Sequence, residues 1–205
     1  MSVNQRAALA AIVVGLLLVQ SRLEAAPQDS QQARPTSQNT EADLVKELAK
    51  LPVAGSRERP ASDYLIDPTP YTAELARSED GRNLILSNGL VRRVWRLAPN
   101  GACVAFDNLM TDQAMLRSVR PEARLTIDGD QVDVGGLVGQ PNHAFLLPEW
   151  LEKMKADPKA MQLVGFDVGE PAERIAWGRV RHAAPGAAWP PKGAYLRMDL
   201  SLIHI

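Results

Sequence analysis

Apolar positions recur along this chain with three different spacings, and each spacing predicts a different kind of segment. Residues 7–19 form one unbroken apolar run behind Arg6, shorter than the ~20 residues that a membrane-crossing helix needs. A basic start, an apolar middle and the tripeptide Leu23-Glu24-Ala25 before Ala26 together predict a secretory signal peptide over residues 1–25. Export follows from it, so the expected location is periplasmic or extracellular, with no stable membrane span once the signal is cleaved. No cysteine stands directly after the run, so a lipid anchor is not indicated.

Residues 26–63 read as a polar linker. Gln, Ser, Pro, Thr and Asn dominate up to Asn39, leaving too little apolar surface to offset the entropy of ordering. The spacing changes to helical further on, where Thr40 and Asp43 resemble a capping box and Leu44, Leu48 and Leu51 follow until Pro52. A short amphipathic helix is expected there, docked loosely.

From Asn83 the period becomes two, with turn residues at short intervals, the pattern of an antiparallel sheet. Leu84 and Leu86 alternate with Ile85 and Ser87, and Asn88-Gly89 predicts a type I′ hairpin leading into a return strand over residues 90–97. Pro99-Asn100-Gly101 turns the chain again into residues 102–107, with Val104 and Phe106 expected on one face and Cys103 and Ala105 on the other. A third hairpin spans residues 123–134 around Asp128-Gly129. One helix interrupts the series, with Pro148 at its first position and Trp150, Leu151 and Met154 as its apolar stripe, stopped by Asp157-Pro158. Alternation returns at Val164, Phe166 and Val168, weakly over residues 175–180, and clearly at Ala194, Leu196, Met198, Leu200 and Leu202.

These elements predict a mainly β protein: an antiparallel β-sandwich over residues 64–199 with one short inserted helix, preceded by a signal peptide and flexible linker. Val94, Trp95, Val104, Phe106, Leu125, Ile127, Phe166 and Leu196 are its expected core. The last residues, LSLIHI at positions 200–205, resemble a translated adaptor tail, so the expectation is that the sheet continues in a longer natural protein.

Composition narrows the function. The net charge is −1, and removing residues 1–25 with Arg6, Arg22 and Glu24 makes it −2, without the basic surplus that phosphate contacts require. Nucleic acid is not an expected partner. Cys103 is the single cysteine, so no intrachain disulfide can form, and its apolar surroundings predict a small buried hydrophobe.

Candidate chemistry is sparse. Gly135, Gly136 and Gly139 lack the strand–helix context of a phosphate loop, and Asp128, Asp130 and Asp133 lack the glycine and closing glutamate of a calcium loop. His143, His182 and His204 stand too far apart to suggest zinc. No Gly-x-Ser-x-Gly turn occurs, and Glu149 with Glu152 reads as a solvated helix face rather than an acid/base couple. No catalytic residue, metal site or cofactor is therefore expected. Trp95 and Trp150 fall in periodic patterns and read as core. Trp177, beside Arg174, Arg179 and Arg181, and Trp189, before Pro190-Pro191, are the residues best placed to contact a sugar.

Residues 84–93 (LILSNGLVRR), Pro99-Asn100-Gly101-Ala102, Asp107-Asn108-Leu109-Met110-Thr111 and Arg120-Pro121-Glu122-Ala123 resemble the N-terminal region of exported α-galactosidase-like glycoside hydrolases. Val134-Gly135-Gly136-Leu137, Leu147-Pro148-Glu149-Trp150-Leu151 and Trp189-Pro190-Pro191 are similar to the same group. The resemblance implies a galactose-mutarotase-like β-supersandwich preceding a catalytic (β/α)₈ barrel that would lie beyond residue 205. Its catalytic aspartates have no counterpart here. On that basis the chain is expected to be a non-catalytic accessory domain, inactive alone, of an enzyme acting on α-galactosides or related oligosaccharides. Its partners would be carbohydrate and the missing barrel. The alternative is a free-standing carbohydrate-binding or cell-surface interaction β-sandwich.

Overall fold

In the computed structural model the described residues are 41–56, 62–67, 71–173 and 190–202. They form a mainly β body in which every strand pair is antiparallel. Helix α1 (Glu41–Ala49) leads into a five-stranded meander: β1 (Glu74–Arg77), β2 (Asn83–Ser87), β3 (Val91–Arg96), β4 (Ala102–Asn108) and β5 (Gln113–Ala114). Next come a hairpin of β6 (Ala123–Ile127) and β7 (Asp130–Val134), then β8 (Leu137–Val138), the single-turn helix α2 (Pro148–Leu151) and β9 (Lys155–Ala156). Strands β10 (Gln162–Gly169) and β11 (Tyr195–Ser201) make a second ribbon. Among the described residues no helix is long and apolar enough to cross a membrane.

Two apolar clusters cover the two faces of the meander, which gives the sandwich-like layering. On one face Leu84, Trp95 and Cys103 meet Leu44 and Leu48 of α1, Leu163 of β10, and the partly buried Phe166, Val168, Leu196, Met198 and Leu200. On the other, Ile85, Val94 and Val104 meet Val119, Leu137 and Met154, with Leu146 and Leu151 alongside. Helix α1 is thus not loosely docked. Leu48 is only 1% exposed, because the β10–β11 ribbon is too narrow to cover its face alone and the helix fills the remainder.

Several local expectations change. Only Gly89 takes a positive φ in the β2–β3 turn; the Asn88 side-chain oxygen accepts from the Leu90 and Val91 N–H groups at 3.0 and 2.9 Å, so the amide replaces the expected type I′ backbone. At β6–β7 both Asp128 and Gly129 have positive φ, as a type I′ turn demands. The β3–β4 register slips between Val94 and Trp95, pairing Val94 with Ala105 and Trp95 with Cys103. Val104 is therefore an extra residue on β4, and Phe106, opposite Arg93, no longer shares its face. A second slip between Leu163 and Gly165 leaves Val164 unpaired and gives the buried position to Leu163.

Of the expected core, Val94, Trp95 and Val104 are buried, and Phe166 and Leu196 pack partly buried. Phe106, Leu125 and Ile127 are 37%, 41% and 39% exposed. The reason is positional: β6 pairs only with β7 among the described residues, while Phe106 faces the end of the meander where β5 is two residues long. Alternation in β11 runs through Leu200 and Ser201, paired with Leu163 and Gln162. The weak strand pattern over residues 175–180 lies outside the described residues.

Candidate functional site

Trp177 and Trp189, the expected sugar contacts, lie outside the described residues, as do His182 and His204. Trp95 is a core residue with a polar purpose. Its indole N–H donates to Glu122 Oε1 at 3.0 Å, and the Cys103 backbone N–H reaches the same oxygen at 3.2 Å. The Arg93 guanidinium pairs with Glu122 Oε2 and lies 4.7 Å from the Trp95 ring centroid, a cation–π geometry. Glu122 sits just before β6, so this carboxylate ties the chain entering the outer hairpin to the middle of the meander.

Cys103 belongs to the same cluster but is chemically quiet. Burial pushes its thiol pKa up, and the Arg93 Nε–H contact at 3.4 Å does not offset this. A neutral thiol is a poor nucleophile and metal ligand.

On the opposite face Glu152, at the C-terminal cap of α2, takes Arg96 on Oε1 at 2.9 Å and Arg82 on Oε2 at 2.8 Å. Hydrogen bonds from Arg82 and then Arg96 hold the Glu152 carboxyl below the usual carboxylate range. Arg96 is buried and also donates to Asn83 Oδ1 at 3.2 Å. Glu152 therefore clamps α2 onto the sheet. Glu152 lies one residue beyond the end of α2 at Leu151, and both arginines pair with it.

The glycine cluster has a packing explanation. A Cβ on Gly135 would lie 2.4 Å from the Gly101 carbonyl oxygen, and one on Gly136 would lie 2.8 Å from the Pro121 nitrogen. Gly136 N–H donates to that same Gly101 carbonyl at 2.7 Å. Close backbone approach requires glycine at positions 135 and 136. Asn100, on the adjoining turn, is buried and accepts from Gly101 N–H at 2.9 Å and Leu163 N–H at 2.8 Å while donating to Met161 O at 3.0 Å. Asp133 is held by Arg124 across the β6–β7 pair. Among the described residues no three metal-capable side chains converge.

One aromatic feature escaped the sequence reading. Phe145, 47% exposed, lies with its ring centroid 5.2 Å from that of Trp150 at an interplanar angle of 32°. Trp150 is half-buried rather than core. Nothing in the spacing marks Phe145, because it precedes Leu146-Leu147 and reads as one more apolar position.

The chain matches no protein-family model, no curated protein and no solved structure.

Proposed function

We propose that this chain is a non-catalytic accessory domain of an exported glycoside hydrolase that acts on α-galactosides or related oligosaccharides. The domain works outside the cytoplasm, packs beside a following catalytic barrel and contacts carbohydrate, with Trp177 and Trp189 as sugar-facing candidates. Hydrolysis belongs to two barrel carboxylates acting as nucleophile and acid/base.

The observation that supports this reading is the use made of two carboxylates at the edge of the core. Glu122 is occupied by an indole, a backbone amide and a guanidinium, and Glu152 by two guanidiniums. Both serve to hold loops and a helix on the sheet, so the described body has the character of a scaffold.

Reading the gene beyond the Asp199 codon tests the proposal. A following barrel-length stretch of alternating strands and helices, with aspartates at strand ends, supports the parent enzyme. A stop codon close by contradicts it and favours the free-standing carbohydrate-binding domain.

A further inference from the structure

We infer that the Phe145–Trp150 pair is a binding platform for a neutral pyranoside, a site separate from Trp177 and Trp189. The inference rests on the carbohydrate reading above and adds a location to it.

The rings are presented by an ordered loop. Gln140 is buried, and its Oε1 accepts from Val119 N–H at 2.9 Å. Its Nε2 lies 3.1 Å from Arg117 O, 2.6 Å from Asn142 O and 3.0 Å from Phe145 O. With its two N–H groups shared among these three carbonyls, one side chain ties the loop to residues 117 and 119. Asn142 Oδ1 adds a bond from Ala144 N–H at 2.8 Å, and Leu146 and Leu151 anchor both ends of the segment in the core. The conformational cost of holding Phe145 in place is met during folding, which favours later binding.

What the platform displays selects its ligand. The half-exposed Phe145 ring offers apolar area and a quadrupole, which suit the C–H face of a pyranose. Trp150 lies against the phenyl ring, 5.2 Å between centroids. His143 and Glu149, which neighbour the two rings in sequence, are exposed, and the guanidinium of Arg117 reaches Ala144 O at 3.4 Å. One cation and one carboxylate leave this segment without a net charge, which fits a neutral, hydroxyl-rich molecule.

Calorimetric titration of the purified chain with methyl α-galactopyranoside and a galactosylated mannan oligosaccharide tests the site. The wild-type chain should bind. Phe145→Ala should bind about tenfold more weakly, equivalent to ~1.4 kcal/mol, and Phe145→Tyr should restore affinity. Matching unfolding midpoints would show that the alanine variant is folded, and Trp150→Phe, which keeps a backing ring, should retain most of the binding. Equal affinity in wild type and Phe145→Ala overturns the platform. Binding that survives Phe145→Ala but is lost in Trp177→Ala or Trp189→Ala overturns it while leaving the accessory-domain reading in place. A flat wild-type titration also overturns the platform; the enzyme reading then stands or falls separately, on the gene beyond Asp199.

Discussion

Glu122 and Trp95, 27 residues apart in sequence, are joined by an indole N–H to carboxylate hydrogen bond of 3.0 Å at the centre of the five-stranded sheet. The same carboxylate collects Arg93 and the Cys103 amide. Removing it leaves buried donors without a partner, which costs more than the net value of the bonds themselves.

Glu122→Ala should therefore lower the unfolding free energy by about 2–3 kcal/mol. Glu122→Gln keeps an acceptor for the indole and the amide and should cost about 1 kcal/mol. Urea titration followed by tryptophan fluorescence measures both, and equal losses for the two variants would show that the carboxamide does not replace the carboxylate's role.

Gly135 and Gly81 both have positive φ, at +63° and +66°, but only Gly135 has backbone against the place a Cβ would occupy. Gly81→Ala should cost about 1 kcal/mol, the left-handed penalty alone. Gly135→Ala should cost about 3 kcal/mol or more, since strain and a clash combine. Comparable melting temperatures for the two variants would remove the close approach at Gly101 from the account.

Glu152 supplies a pH dependence of known sign. Its folded pKa is depressed by Arg82 and then Arg96, so its stabilising contribution is complete above the ordinary carboxylate pKa and disappears as pH falls through the depressed value. Melting temperatures of wild type and Glu152→Gln should differ at neutral pH and converge in acid. A constant difference across that range would argue against the clamp.

The sequence pattern made the meander legible because successive residues of its strands meet different clusters: Leu84 and Leu86 face one while Ile85 faces the other. Pattern alone could not show the slips at Val104 and Val164, since an extra residue leaves composition unchanged and alters only phase. It also misplaced Leu125 and Ile127, whose alternation is that of a buried strand although little covers their hairpin. The aromatic pair was hidden for a related reason: Phe145 depends on Gln140, and Gln140 acts through Val119, 21 residues earlier, a relation that no local spacing carries.

Hydrolysis of an α-galactoside, measured with this chain alone and with the full product of its gene, bears most directly on the proposed role. The account predicts no turnover by the chain alone and clear release of galactose by the full product. Turnover by the isolated chain, abolished by substituting one of its own carboxylates, would contradict it.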